Sequence, residues 1–233
     1  MLYLTDFHSH VLPRLDDGSK SIEESYEMLK RMGAQGVKRV VASPHFYAND
    51  QGVDEFLEKR AAAYAALSSV LGQNLPQLAL GAELRYYEGV SRLEGLLKLC
   101  IQGTPLLLLE MPERRWGEYV LRELTSLACR GDLRIVLAHV ERCIPFQSPA
   151  TVQQLVEAGV LMQLNAEAFK GFFEKRRALK LLKQGKVQFI GSDTHNLTDR
   201  APNIDIATES VRNKLGEEFL QGLVSFGNSF FDK

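Results

Sequence analysis

Residues 3–10 read Tyr3-Leu4-Thr5-Asp6-Phe7-His8-Ser9-His10, a short strand-forming run that ends in two histidines. On an extended segment, side chains two residues apart point to the same side, so the imidazoles of His8 and His10 can reach one ion. The other three histidines, His45, His139 and His195, each follow another strand-like run. All five histidines therefore lie at the ends of predicted strands, and this placement guides the interpretation of the fold.

Apolar runs typical of buried parallel strands alternate with stretches of helical spacing along the whole chain. The predicted strands span 3–7, 37–42, 78–82, 106–109, 134–138, 160–164 and 187–191, and the predicted helices span 21–32, 53–71, 91–101, 118–129, 149–158, 172–183 and 204–226. This pattern alone fits a doubly wound open sheet as well as a β/α barrel. The histidines favour the barrel, because the carboxyl ends of its strands converge on one mouth.

The composition is that of an ordinary globular protein, with 233 residues, 45% hydrophobic and 24% charged. Because α/β barrels commonly run to about 200–250 residues, residues 1–233 are expected to form a single domain. A net charge of −1 gives no overall attraction to nucleic acid or to an anionic membrane. With no signal-like leader and no long apolar stretch, neither secretion nor membrane insertion is expected, and three scattered cysteines favour a reducing, cytoplasmic location.

Four acidic residues occupy the same strand-end positions as the histidines: Asp17, Glu83, Glu110 and Asp193. Together they predict a mixed nitrogen and oxygen ligand shell, which suits Mn²⁺, Fe²⁺ or Zn²⁺. Nine ligands exceed the needs of one ion, so the sequence predicts two or three divalent ions. Such a centre favours an anionic substrate, and paired ions suit the displacement at phosphorus in a phosphate ester.

Other phosphate chemistries are excluded by motif spacing. Leu106, Ile135 and Pro149 stand six residues after the three cysteines, where a thiol phosphatase loop would place arginine. The chain also has no G-x-S-x-G elbow and no G-x-x-x-x-G-K-[ST] loop. The cysteines are therefore expected to be small buried apolar residues.

Several motifs resemble those of one known family. They are Asp6-Phe7-His8-Ser9-His10, Leu12-Pro13-Arg14-Leu15-Asp16-Asp17-Gly18, Ser43-Pro44-His45, Leu109-Glu110-Met111-Pro112, Ala138-His139-Val140-Glu141-Arg142 and Ser192-Asp193-Thr194-His195-Asn196. They resemble the polymerase-and-histidinol-phosphatase (PHP) superfamily, and within it the manganese-dependent tyrosine phosphatases of the CpsB/CapC type. The resemblance covers nearly the whole chain. It implies an α/β fold, a distorted (β/α)7 barrel of the PHP type, with a trinuclear centre.

The resemblance also implies roles for individual residues. The family's metal ligands fall on His8, His10, Asp17, His45, Glu83, Glu110, His139, Asp193 and His195. Its phosphate-binding arginines fall near Arg142 and Arg200, which with Asp193 and His195 are the catalytic candidates. Mn²⁺ is the implied metal, with Fe²⁺, Co²⁺ or Zn²⁺ as substitutes. Val140 stands where relatives usually have proline and could shift the loop bearing Arg142, and Phe46 replaces a polar residue and could alter access.

The implied function is hydrolysis of phosphotyrosine in the tyrosine-rich tail of a bacterial tyrosine kinase that controls capsular or exopolysaccharide synthesis. Two alternatives stay open: a PHP-type phosphatase of a small phosphomonoester, such as histidinol phosphate or a sugar phosphate, and a non-enzymatic metal-binding interaction module.

Two features near the predicted mouth each allow two interpretations. The loop 113–116 could bind an acidic peptide or simply be solvated, and Asn165 could orient a ligand or cap its loop. The pairs Tyr86-Tyr87 and Phe172-Phe173 are expected to be core or rim residues.

Overall fold

The computed structural model describes residues 3–232, in which nine strand segments pair exclusively in parallel. The segments are β1 (Leu4–Ser9), β2 (Val37–Ala42), β3 (His45–Phe46), β4 (Gln77–Leu80), β5 (Glu83–Arg85), β6 (Leu106–Glu110), β7 (Arg134–Leu137), β8 (Leu161–Asn165) and β9 (Phe189–Gly191). β3 continues β2 after a two-residue break, and β5 continues β4 in the same way. The nine segments therefore correspond to the seven predicted strands.

Seven α-helices lie in the described residues, all of them where the sequence predicts helix. They are α1 (Ile22–Ala34), α2 (Val53–Ser68), α3 (Glu118–Ala128), α4 (Pro149–Glu157), α5 (Phe172–Lys183), α6 (Ile204–Leu215) and α7 (Glu217–Asn228). The helix predicted over 91–101 is wrong: the chain forms two 3₁₀ turns there, separated by Gly95 at φ 77°. The helix predicted over 204–226 is divided, because Gly216 adopts φ 98° and ends the helical path.

The strands close into a distorted barrel. Pairing runs β1-β2-β4 and β3-β5-β6-β7-β8-β9, and the broken strands join the two sets. β9 returns to β1 through a parallel bridge between Ser9 and Thr194 and a hydrogen bond of 2.8 Å from the Asp193 amide to the His8 carbonyl. This closure confirms the predicted barrel over the doubly wound open sheet.

Alternate side chains of each strand divide between two apolar layers. On β6, Leu106 and Leu108 belong to the cluster that fills the barrel interior, whereas Leu107 and Leu109 pack outward with the helices. Phe7 and Phe189 meet in the interior cluster, with ring centroids 4.5 Å apart. The apolar filling leaves polar side chains to gather at the carboxyl ends of the strands.

Three sequence expectations have different outcomes in the fold. Cys143 is buried as expected, but Cys100 is partly exposed and Cys129 is exposed at the end of α3, so the expectation of buried cysteines is wrong there. None of the helices within residues 3–232 is both long and apolar enough to cross a membrane. The assignment of residues 1–233 to a single domain stays a prediction.

Candidate metal centre

All nine predicted ligands gather at the carboxyl ends of the strands. They come from six of the seven strands, and the remaining strand, β8, contributes the buried polar residues Gln163 and Asn165. Three groups of these side chains place their ligand atoms within 4.8 Å of one another: His10, Asp17, His45 and His195; His8, His10 and Asp193; and His45, Glu83 and Glu110. Because His10 and His45 each belong to two groups, the groups form one continuous cluster.

Glu83 lies at the centre of the cluster and is almost fully buried. Its Oε2 is 3.1 Å from His8 Nε2, 3.3 Å from His10 Nε2 and 3.0 Å from His45 Nδ1. Its other oxygen, Oε1, is 2.8 Å from Nε2 of His139, which itself lies 3.9 Å from Glu110 Oε1. One carboxylate therefore faces four imidazoles, a geometry suited to bridging cations.

Asp193 connects the imidazoles to two arginines. Its Oδ2 accepts hydrogen bonds of 2.8 Å from Arg142 Nη2 and 2.8 Å from Asn165 Nδ2, and lies 2.7 Å from Arg200 Nη2. Its Oδ1 faces the histidines, at 3.6 Å from His8 Nε2 and 3.5 Å from His10 Nε2. The two guanidinium groups, 58 residues apart in sequence, thus lie on one edge of the cluster.

Burial and neighbouring charges shift the pKa values of the carboxylates and imidazoles in the cluster in different directions. Burial opposes ionisation of Glu83, but the charge on His8 and the neighbouring imidazoles hold the pKa of Glu83 well below its usual range. Burial, assisted by the charge of His10, lowers the pKa of His195 to about 4. At neutral pH Glu83 is therefore ionised and His195 is neutral, which are the forms that bind metal ions. Against the effect of burial, Glu83 raises the pKa of His8, and the hydrogen bond to Asp16 raises the pKa of His10 to about 10, so metal binding at these two rings would release protons.

Two residues that hold the ligands in place were missed by the sequence analysis. Asp16, rather than its neighbour Asp17, accepts a hydrogen bond of 2.6 Å from His10 Nδ1 and one of 3.0 Å from the His45 amide. Gln163 Oε1 accepts the His139 amide at 2.8 Å and lies 3.2 Å from His8 Nδ1. Partners of this kind fix the ring orientation and tautomer of a metal-binding histidine. The Asp16-Asp17 pair carried a signal in sequence, whereas Gln163 carried none.

Two of the candidate ligands have left-handed backbone conformations. The φ angle is 30° at His139 and 53° at Asp193, although neither residue is glycine. Such conformations cost on the order of 1–3 kcal/mol and persist where the surrounding structure imposes them. The Asp193 amide is held by the His8 carbonyl, and the Val140 amide that follows His139 donates to the Gln163 carbonyl at 3.0 Å. The fold thus stores strain at the two positions that aim these ligands.

The chain has the sequence signature of one protein family. The family model described as "Capsular polysaccharide synthesis, CpsB/CapC" matches residues 4–229. This chain belongs to the CpsB/CapC family.

Relatives of the family align over most of their length. The tyrosine-protein phosphatase YwqE of Bacillus subtilis (strain 168) is 28% identical over 221 residues, covering 92% of this chain and 86% of that protein. The putative tyrosine-protein phosphatase CapC of Staphylococcus aureus is 31% identical over 218 residues, covering 84% and 79%. The tyrosine-protein phosphatase CpsB of Streptococcus pneumoniae is 27% identical over 231 residues, covering 91% of each.

Solved structures share the fold. One match is a crystal structure from a study of YwqE from Bacillus subtilis and CpsB from Streptococcus pneumoniae, described as unique metal-dependent tyrosine phosphatases. Its TM-score is 0.84 at 24% identity, and the match covers 98% of this chain and 94% of that one. Histidinol phosphate phosphatase from Lactococcus lactis, in complex with zinc, L-histidinol and phosphate, matches with a TM-score of 0.60 at 13% identity, covering 94% of each chain. The predicted barrel is thus a fold that this chain shares with both solved structures.

The two departures from the CpsB/CapC pattern have structural explanations. Val140 is buried, and its amide makes a hydrogen bond that a proline could not donate. Phe46 is also fully buried and packs against Phe56 with ring centroids 5.0 Å apart. The expectation that Phe46 alters access to the site is therefore wrong, because its ring does not reach the mouth.

Other residues near the mouth divide between supporting and exposed positions. Asn165 orients Asp193, as one of its two interpretations predicts, and Trp116 is buried with its indole N–H donating to the Pro112 carbonyl at 3.0 Å. Tyr86 is partly buried at the rim and donates to Glu123 at 2.8 Å. Phe172 and Phe173 are 77% and 75% exposed, so they do not belong to the core.

Proposed function

We propose that this CpsB/CapC protein is a metal-dependent protein-tyrosine phosphatase. The observation that carries the proposal is the gathering of nine imidazole and carboxylate groups at one barrel mouth, with two arginines on its edge. Phosphomonoesters carry the negative charge that such a site would neutralise. The names of the relatives from Bacillus subtilis and Streptococcus pneumoniae agree with this chemistry.

The donor set fits two or three divalent ions. Three buried atoms in the cluster make no hydrogen bond: Glu83 Oε2 and His45 Nδ1, although they lie 3.0 Å apart, and His195 Nε2. Since an unpaired buried polar atom is costly, these atoms call for a cation at the mouth. We propose the nine residues as the ligands and Mn²⁺ as the ion, because the mixed shell without thiolate suits it, while Fe²⁺, Co²⁺ and Zn²⁺ fit the same donors. When bound, such ions supply positive charge for a phosphate and lower the pKa of a water molecule.

Arg142 and Arg200 are proposed to bind the phosphate oxygens. Each guanidinium has five N–H donors, and both side chains remain partly exposed, 36% for Arg142 and 38% for Arg200, while contacting Asp193. Free donors are therefore available towards the mouth. As negative charge grows on the phosphoryl oxygens during displacement, two fixed guanidinium groups stabilise it without reorganisation.

Asp193 and His195 are proposed to contribute to catalysis in addition to binding metal. Asp193 sets the positions of both arginines through one oxygen, and His195 offers a neutral ring nitrogen at the cluster. A phenol leaving group with a pKa of about 10 departs more readily than an alkyl alcohol, so the demand on a general acid is small. This agrees with a site that has many ligands and no dedicated acid.

A cleft beside the centre favours a peptide over a small phosphomonoester. It has a volume of about 370 Å³ and is lined by Arg85, Tyr86 and Arg114 among others. Arg85 Nη1 lies 3.5 Å from Glu110 Oε2, so the cleft begins at the centre itself. Two arginines, Arg85 and Arg114, and two glutamates, Glu88 and Glu113, line the cleft, so it would contact the residues next to a phosphotyrosine with charges of both signs. We propose the tyrosine-rich tail of a bacterial tyrosine kinase of capsular or exopolysaccharide synthesis as the substrate, encountered in the cytoplasm.

The test compares substrates on protein that has been stripped of metal and reloaded with Mn²⁺. A phosphotyrosyl peptide is expected to exceed L-histidinol phosphate in kcat/KM by at least about tenfold. Arg142→Lys should lower both rates, whereas Arg130→Lys, at an exposed pair with Asp132, should lower neither. Faster turnover of histidinol phosphate would assign the protein to small phosphomonoesters. No turnover with Mn²⁺, Fe²⁺, Co²⁺ or Zn²⁺ would leave the non-enzymatic module.

A further inference from the structure

The first turn of α5 carries two large apolar side chains in solvent. Phe172 is 77% exposed and Phe173 is 75% exposed, the highest values among the exposed large hydrophobic residues of 3–232. Their rings contact each other edge to face, with centroids 5.4 Å apart. The pair sits on the end of a helix rather than in a groove, so it forms a convex apolar tip.

The segment around this tip is strongly basic. Residues 166–186 contain seven lysines or arginines and two glutamates, a net charge of +5 in a chain whose total is −1, so the remainder carries −6. Of the lysines and arginines in this segment, Lys170 is paired with Glu167. Within residues 3–232, no carboxylate lies within ion-pair distance of Lys175, Arg176 or Arg177. These three cations lie within five residues of the aromatic pair and are available to a partner.

The tip faces the same way as the metal centre. α5 follows β8 and leads to β9, and these two strands are parallel neighbours. A helix that connects parallel neighbours runs from the carboxyl end of one strand to the amino end of the next. The first turn of α5 therefore lies at the mouth end of the barrel. A surface that receives the tip would also face the mouth.

We propose that Phe172 and Phe173, with Lys175, Arg176 and Arg177, form a docking site for an anionic lipid surface, which we call the α5 tip. Exposed aromatic side chains enter the interface between lipid headgroups and acyl chains, and nearby cations attract anionic headgroups. The α5 tip has both features, because its apolar side chains are convex and its cations are unpaired. A peptide partner would instead be received by a concave groove. The low overall charge does not oppose it, because the attraction acts within a Debye length of about 8–10 Å.

Flotation with lipid vesicles tests the site on the full chain. Two compositions are used, phosphatidylcholine alone and phosphatidylcholine with phosphatidylserine in a molar ratio of roughly seven to three. The unaltered protein is expected to float with the anionic vesicles, and the bound fraction should fall at high salt. Phe172→Ser/Phe173→Ser and Lys175→Glu/Arg176→Glu should each reduce the bound fraction by about tenfold or more.

Controls separate docking from misfolding and from catalysis. Val70→Ser removes another exposed apolar side chain, 46% exposed and just beyond the end of α2, at the opposite end of the barrel. It should leave vesicle binding unchanged. Every variant should hydrolyse p-nitrophenyl phosphate at the rate of the unaltered protein, since none changes the metal centre. The inference does not depend on the proposed activity, because flotation is measured without substrate.

Three results would overturn the proposal. The first is failure of the unaltered protein to float with anionic vesicles. The second is equal binding to both vesicle compositions, which would remove the role of the cations. The third is unchanged binding of Phe172→Ser/Phe173→Ser. If that variant instead abolishes a concentration-dependent dimer in light scattering, and no vesicle binding is seen, the α5 tip is an interface between two copies of the chain.

Discussion

Replacing Asp16 by asparagine is expected to weaken the metal centre although Asp16 is not among the proposed ligands. Its carboxylate accepts three hydrogen bonds, from His10 Nδ1 at 2.6 Å, from the His45 amide at 3.0 Å and from the Gly18 amide at 2.9 Å. Burial opposes ionisation, but the hydrogen bond from His10 holds the pKa of Asp16 well below its usual range. The native side chain is therefore charged at neutral pH and fixes two of the candidate ligands.

The magnitude follows from those contacts. An amide has one oxygen in place of two, so the side chain introduced by Asp16→Asn can accept only some of the three hydrogen bonds. Its N–H₂ group would face the remaining donors, with which it cannot bond. A hydrogen bond to a charged group contributes about 1.5–3 kcal/mol. If this free energy is lost at the His10 ring, metal affinity falls by about 10–100-fold. Losses of this size are typical when the hydrogen-bond partner of a metal-binding histidine is removed.

The assay is a titration of the metal-free protein with Mn²⁺, in which binding is measured by calorimetry and activity by hydrolysis of p-nitrophenyl phosphate. Activity at saturating Mn²⁺ should recover most of its value, since the ligand set is intact, and the midpoint of the titration should move to higher concentration. Asp54→Asn serves as the matched control, because Asp54 makes an exposed pair with Lys98. An unchanged titration midpoint for Asp16→Asn would show that the hydrogen bond from His10 does not support metal binding.

Three further predictions concern catalysis, stability and packing. Arg142→Ala should lower kcat by about 10²–10³-fold while the metal content measured by elemental analysis stays unchanged, and loss of metal instead would contradict a phosphate-binding role. Glu123→Gln should cost about 1–3 kcal/mol in urea unfolding at pH 7, because the Glu123 carboxylate accepts four hydrogen bonds from the rim. Burial opposes ionisation of Glu123, but these hydrogen bonds hold its pKa below the usual range. The stabilisation by Glu123 is therefore complete above the unfolded pKa of about 4.3 and disappears as the pH falls through the folded pKa, so the cost of Glu123→Gln should shrink in acid. Gly191→Ala should destabilise the barrel and lower the thermal midpoint, since an added Cβ would meet His8 Cβ at 2.5 Å; an unchanged midpoint would mean that β1 and β9 can separate without loss.

Removal of the metal provides a prediction for the folded state as well as for activity. Exhaustive chelation should abolish hydrolysis and lower the thermal midpoint, because ligands that bind only the folded chain stabilise it, by about 2.7 kcal/mol at a hundredfold excess over Kd. Readdition of Mn²⁺ should restore both. Full activity after chelation would contradict the metal-dependent mechanism.

Much of the barrel was predictable because strand and helix patterns are local. The alternation of apolar runs predicted all seven strands, and errors occurred where a glycine overrides helical spacing, at Gly95 and Gly216. The breaks after Ala42 and Leu80 were not predictable. They depend on hydrogen bonds between strands, such as that from the Gly81 amide to the Ala42 carbonyl at 2.8 Å.

The sequence by itself determined which side chains gather at the mouth, because residue type and position at strand ends require no knowledge of distances. Five histidines and four acids at those ends already predicted a centre of several ions. Only the tertiary structure decided how they are supported: that Gln163 on β8 lies against His8, and that Arg142 and Arg200 share one oxygen of Asp193. The physical reason is that these contacts form when β9 closes on β1. That closure joins segments more than 180 residues apart, a separation at which the local patterns that predict strands and helices carry no information.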